Sequence, residues 1–173
     1  MWAKLSLSLK NFIGVTPLKQ YGWRNKPNYD RVDLHRNDYT PQAIAQLYTN
    51  IASAIKPDIA VIDGSICVEG NGPSVDRKLG VTVDMKDRIG SWLIIASTDF
   101  VAADATAARV INLDVSYVDQ ILSSARKKNL GVIDLESISM LGEKLDNLRV
   151  DWTPARLAIS AYKSYSPRIV HMS

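Results

Sequence analysis

The chain has 173 residues, 46% apolar and 23% charged, with a formal net charge of +3. That length suits one domain with a real core, and that balance excludes a disordered chain; no apolar run reaches the ~18 residues of a spanning helix, so no membrane association is expected. The lone cysteine, Cys67, excludes an internal disulfide, and it excludes a four-thiolate iron–sulfur cluster or structural zinc site from this chain alone.

Met1-Trp2-Ala3-Lys4 shows no basic segment followed by an apolar stretch, so the cytoplasm is the expected compartment. The positive charge is N-terminal: through Arg36 there are seven cations (Lys4, Lys10, Lys19, Arg24, Lys26, Arg31, Arg36) against two acids, Asp30 and Asp33. The basic, aromatic run Tyr21-Gly22-Trp23-Arg24-Asn25-Lys26 would suit a phosphate backbone. No nucleic-acid motif accompanies it, so a solvated loop is the better reading and a nucleic-acid partner is not expected.

Leu5, Leu7 and Leu9 alternate with Ser6 and Ser8, a period of two that predicts a strand with Lys10 and Asn11 at its carboxyl end. From Gly14 to Asp38 no period holds. Gly22, Pro27 and Asn11, Asn25, Asn28 and Asn37, near or within that stretch, predict a long loop of a kind that is usually functional or mobile. Thr40 then caps a helix with Pro41 at its first position and Ile44, Leu47, Tyr48, Ile51, Ala54 and Ile55 on one stripe; it should stop near Ile55, because Pro57 pushes Lys56 out of the helical region. Ile59 to Ile62 is too short for a helix and rich in branched residues, hence a buried strand. It opens into a loop carrying Asp63-Gly64 and Glu69-Gly70-Asn71-Gly72-Pro73.

Val81 to Val83 and Trp92 to Ala96 predict two more strands, joined around Met85 to Gly90 as a local β-hairpin. Phe100 to Ile111 reads as a helix with a small-residue face (Ala103, Ala107, Ala108) and Asp99 or Thr98 as its cap. A second helix, Val115 to Lys128, ends in three cations and is closed by Asn129 or Gly131. Val132 to Leu135 predicts a further strand ended by Glu136, Pro154 to Tyr162 a short helix, and Tyr165 to Ser173 a tail. Strands alternating with helices point to an α/β fold: a mostly parallel sheet with helices on its faces, in a single domain.

In such sheets ligands bind at the carboxyl ends of the strands. Lys10, Asn11, Asp63, Asp99 and Glu136 would then share one edge with the loop of Glu69 and Asn71. Asp63, Glu69 and Asp99 together predict a divalent-cation site of oxygen ligands. Alternatively they tune one another's pKa for acid–base work, with Lys10, Asp63 and Glu69 as the catalytic groups. Asn11, His35, Gly70, Asn71, Gly72, Asp99 and Asp104 would line the ligand, and the Gly-Asn-Gly turn offers a backbone nest for an anion. It lacks the third glycine of the dinucleotide fingerprint, Val75 standing in its place.

Four of the residues that could carry chemistry have a plainer structural reading. Helix capping accounts for Asp99, a turn before Gly64 for Asp63, a solvated loop for His35 and small buried filler for Cys67. Asp104 falls on the packing face of its helix, where an acid is either partnered or pointed at a site, since an unpaired buried charge is costly.

Taken together, Leu7-Ser8-Leu9-Lys10-Asn11-Phe12-Ile13-Gly14, Leu34-His35, Asp63-Gly64 with Val68-Glu69-Gly70-Asn71-Gly72-Pro73, Ala96-Ser97-Thr98-Asp99-Phe100-Val101-Ala102-Ala103-Asp104, Leu130-Gly131 and Gly142-Glu143 resemble the family known as domain of unknown function 362. The blocks match in order and rough spacing over about Leu5 to Glu143. Members of that family often carry an iron–sulfur module, so the resemblance implies a redox setting in which a separate iron–sulfur protein supplies the cluster. It also implies a further N-terminal half of the domain before the Leu-Ser-Leu-Lys-Asn block. Residues 1–145 are thus expected to be a partial domain, followed by an extension over 146–173. A half-domain of that kind would pair with its missing half in trans or with a second copy. Phe100 stands where the family often has proline.

Overall fold

The computed structural model describes residues 5–15, 41–70 and 80–153. The chain opens on α1 (Ser8–Asn11), which runs into a 3-10 turn (Phe12–Val15). Helix α2 (Pro41–Ile55) leads into β1 (Ala60–Asp63), β2 (Ile66–Gly70) and β3 (Gly80–Asp84). Then come α3 (Lys86–Ile89), β4 (Ile94–Ser97) and α4 (Phe100–Val110). A 3-10 turn (Val115–Tyr117) precedes α5 (Asp119–Leu122), which widens into a π-turn (Ser123–Lys127). After a 3-10 turn (Leu135–Ser137), α6 (Leu145–Leu148) is the last helix of the described residues.

Among the described residues the expected parallel sheet is not formed. The four strands of the described residues make two separate antiparallel pairs, β1 with β4 and β2 with β3. The physical reason lies in the connections. Adjacent parallel strands need a crossover of a dozen or more residues, usually helical, whereas the only helix described between β1 and β4 is the four-residue α3. The strands predicted at 81–83 and 92–96 both exist, but neither is the other's partner. β3 pairs with β2, the stretch expected to be a loop, and β4 returns to β1.

The N-terminal block also departs from its pattern. Leu5, Leu7 and Leu9 do not form a strand; the chain turns into α1, with Leu5 and Leu9 buried. The cause is a distant carboxylate. Asp104, in the middle of α4 and 1% exposed, accepts the Ser8 N–H at 2.9 Å, the Leu9 N–H at 3.1 Å and the Ser8 hydroxyl. Those N–H groups have no partner within the first turn of a helix, and Asp104 supplies one from 96 residues away.

Other elements follow their local chemistry. Helix α2 ends at Ile55, and Lys56 takes φ +48°, one residue ahead of Pro57. Of the two caps expected, Thr98 and Asp99, it is Asp99 that caps α4, accepting the Ala102 N–H at 2.9 Å through Oδ1. Its Oδ2 accepts the Val132 N–H at 2.8 Å, tying the loop after Asn129 to the start of α4. The helix predicted over 115–128 is broken into a 3-10 turn, α5 and the π-turn, although its apolar stripe of Val115, Val118 and Ile121 is buried. No strand forms over 132–135. Residues 16–38 of the long loop, the expected cap Thr40, and the helix and tail expected from Pro154 onward lie outside the described residues.

Helix α4 is the centre of packing. Nine of its eleven residues are buried, five of them alanines, so neighbouring elements approach its axis closely. One cluster joins Leu5, Leu9, Ala52, Ala60 and Ile62 to the alanine face of α4 and to Val118 and Ile121. A second joins Val83, Met85, Leu145 and Val150 to Val110, at the other end of the same helix.

Two predictions follow from the polar ties to α4. Burial outweighs the three donors at Asp104 and pushes its carboxyl from the usual 3.8 up to about 6. The folded chain therefore holds a proton that the unfolded chain gives up. The stabilisation is complete below about pH 4 and is lost as pH rises through about 6. Chemical denaturation from pH 4 to 7 will show this decline in the wild type and a flatter profile in Asp104→Asn. Asp104→Ala, which leaves the Ser8 and Leu9 N–H groups unpaired, will lose on the order of 3 kcal/mol. At Gly131, a Cβ would lie 2.7 Å from Cγ of Asp99 and closer still to Oδ1. Gly131→Ala will therefore displace the cap and cost about 1 to 2 kcal/mol by thermal denaturation, and Gly131→Ala in an Asp99→Ala background will cost much less.

Candidate functional site

A groove of about 410 Å³ lies between the start of the chain, β1 and the first residue of α4. Its lining runs along β1 from Ile59 to Asp63, with Pro57 before it, and faces Ser6, Leu7, Ser8, Asn11, Phe12 and Phe100. The folding of α1 builds one wall. Because Asp104 holds Ser8 and Leu9 at the first turn, Ser6 and Asn11 are brought beside a strand that begins about fifty residues later. The Ser8 hydroxyl also lies 3.1 Å from the Phe100 carbonyl, which closes the end of the groove against α4.

Of the residues singled out in the sequence, Asn11 and Asp63 line this groove together. Asp63 is exposed, and its Oδ1 accepts the N–H of Ser65 at 2.9 Å and its hydroxyl at 2.5 Å. These bonds hold its carboxyl below the ordinary range, so it is anionic at neutral pH. The same bonds make the turn into β2. Lys10 sits on the last turn of α1 beside the groove rather than in its lining; its Nζ donates to Ser6 Oγ at 2.6 Å, and burial lowers its pKa.

The other acids are placed elsewhere. Antiparallel pairing sets Asp63 opposite Ile94 and Ala60 opposite Ser97. Asp63 and Asp99 therefore lie at opposite ends of a ladder about 10 Å long, not at one edge, and both oxygens of Asp99 are engaged by backbone N–H groups. Glu69 belongs to β2, in the other strand pair. It is 7% exposed, pairs with Arg88 Nη2 at 3.4 Å and accepts the Thr153 N–H at 3.0 Å. Arg88 in turn donates to the Asp151 carbonyl at 3.0 Å. Gly70, at φ +78°, donates its N–H to the Thr153 carbonyl at 2.9 Å. Glu69 and Gly70 thus fasten residues 151–153 along β2. Glu136 is exposed on the turn after α5 and its π-turn. His35, Asn71 and Gly72 lie outside the described residues.

Among the described residues, no group of three or more His, Cys, Asp and Glu side chains is placed to hold a metal ion. The oxygen-bearing side chains of the described residues that converge on the groove are Ser6, Ser8, Asn11 and the carboxylate of Asp63. Cys67 is half-buried, and burial followed by the charge of Asp63 raises its pKa, which leaves it a poor nucleophile. Sequence reasoning missed Ser6 and Ser8, whose alternation with leucines looked like the solvent face of a strand. It also missed Arg88, since nothing in a spacing of nineteen residues marks it as the partner of Glu69.

No helix of the described residues is long and apolar enough to cross a membrane. Neither the curated proteins nor the solved structures compared with the chain gave a match. A family model does match over residues 1–109, which include α1, β1, both walls of the groove and nearly all of α4. The chain belongs to the family described as domain of unknown function (DUF362).

Proposed function

We propose that this chain is a binding module that seats its ligand in the groove between α1, β1 and the start of α4. The observation that carries this reading is convergence. Ser6, Ser8, Asn11 and Asp63 come from two distant parts of the sequence and line one concavity with Leu7, Phe12 and Phe100. A volume of about 410 Å³ lies within the range of small-ligand sites, and a few polar groups on an apolar wall are their usual lining. Groups already committed to structure are not counted. Asp99, Asp104 and Glu69 each spend their oxygens on backbone N–H groups, on the Ser8 hydroxyl or on Arg88. That hydroxyl is itself spent on Asp104 and the Phe100 carbonyl, so Ser6, Asn11 and Asp63 are the polar side chains left for recognition in the groove.

The donor set is oxygen-rich with one fixed negative charge. A hard cation would therefore enter with an anionic ligand that completes its shell, rather than be held by the chain alone. Acid–base catalysis by a Lys10, Asp63 and Glu69 trio finds no support in this arrangement, because Glu69 faces residues 151–153. A binding role without catalysis is the simpler reading.

The test is a ligand screen read by backbone amide shifts. Ligands of the groove will move the signals of Ser6, Asn11 and Val61 in the wild type. They will lose at least about tenfold in affinity for Asn11→Trp, which fills the groove while leaving α1 on Asp104. Shifts confined to β2, β3 and residues 151–153, or none from any compound, would sink the proposal.

A further inference from the structure

Resting on that groove reading, we propose that the ligand is an extended polypeptide segment, which adds to β1 as an antiparallel strand. The register of the ladder is the starting point. Gly64 donates its N–H to the Leu93 carbonyl at 2.8 Å, and Gly64 and Leu93 continue the pairing of Ala60 with Ser97 and Ile62 with Ile95. In an antiparallel pair, residues that exchange hydrogen bonds alternate with residues whose N–H and C=O point the other way. Val61 and Asp63 therefore turn their backbone groups away from β4. That edge of β1 is the one the groove follows, and among the described residues no strand pairs with it.

The second ladder shows what such an edge does in this fold. By the same alternation, Met85 N–H bonding to Ser65 O makes Gly70 an outward-facing residue of β2. Its N–H is taken by the carbonyl of Thr153, outside either strand of the pair. The β1 edge has the same donors and acceptors, with a groove beside it.

Side chains along the edge specify the occupant. Val61 is 62% exposed and Asp63 is exposed on the same outer face, where Ile94, at 69%, adds apolar surface. A strand paired with β1 sets one residue against Val61 and another, two positions away, against the anionic carboxylate of Asp63. The first is apolar and the second is Lys or Arg, by charge complementarity. The residue between them sits opposite Ile62 and faces inward, toward the wall of Leu7, Phe12 and Phe100, so it too is apolar. Read from its N-terminus, the segment recognised has a basic residue against Asp63 followed by branched apolar residues against Ile62 and Val61, and β1's four residues engage about 13 Å of it.

The probe is the peptide acetyl-Lys-Val-Val-Val-Lys-amide, titrated into the full chain, beside the same peptide N-methylated at its central valine. Hydrogen exchange of the Val61 and Asp63 amides is followed in parallel. The expected result is fast exchange at both amides in the free chain, slowed by the peptide, with about tenfold weaker binding of the N-methylated form. Asp63→Lys will reverse the preference from flanking lysines to flanking glutamates. Three results would overturn strand addition. Slow exchange at Val61 and Asp63 in the free monomer assigns the edge to the chain itself. A concentration-dependent dimer that the peptide does not displace assigns it to a second copy. Equal affinity for the N-methylated peptide reduces the contact to side chains. If small molecules still move the Ser6 and Asn11 signals in those cases, the groove reading stands without a strand; if nothing moves them, both fall.

Discussion

A single buried carboxylate organises the N-terminal half of this molecule. Asp104 sits in the middle of the most buried helix and is reached by two backbone N–H groups and a hydroxyl from α1. An ionised acid in that position is expensive to desolvate, and its pKa is raised accordingly. The contact nevertheless decides where the chain begins its fold. Without it the first turn of α1 would have no partner for its N–H groups, and Leu5 and Leu9 would lose the geometry that buries them. The wall of the groove formed by Ser6, Leu7 and Asn11 exists because of that bond.

The antiparallel pairing has the second largest consequence. In a parallel sheet the ends of successive strands converge, and acids after each strand gather at one edge. Here β1 and β4 run in opposite directions, so Asp63 and Asp99 are separated by the length of the ladder. Each then does local work. Asp63 shapes the turn into β2, and Asp99 caps α4 while holding Val132. Glu69 is drawn to a different surface altogether, where with Arg88 it fastens residues 151–153 to β2. What converges instead is a strand edge with hydroxyl and amide side chains beside it. Such a surface suits recognition of an extended or mixed-polarity ligand better than it suits metal chemistry.

Helix α4 links these two regions. Its alanine-rich face receives α1 and the β1–β4 pair, while Val110 at its far end packs with β3, Met85 and α6. Ile95 and Ile111 touch both clusters. A change in the seating of α4 would therefore be felt at the groove through Phe100 and at β2 through Val110. The small side chains that permit this close packing also leave little room for repacking, since a core at native density tolerates added volume poorly.

What the amino-acid sequence determined by itself was local. Pro41 and the apolar stripe after it predict α2 with its end at Ile55, Asp99 predicts the start of α4, and the branched run before Asp63 predicts β1. The blocks from Leu7 to Asp104 also carry the family. These features rest on capping, periodicity and glycine or proline backbone limits, which act within a few residues. Tertiary structure decided which strands pair, in which direction, and which carboxylate meets which N–H. Leu5 to Leu9 alternates like a strand, yet a carboxylate 95 residues away makes it the entry to a helix. Strand direction depends on what connects the strands, and a period of two is the same for a parallel and an antiparallel partner. The groove is long-range in the same way: Asn11 and Asp63 were legible as candidates, but Ser6 and Ser8 join them only once Asp104 has set the path of the chain.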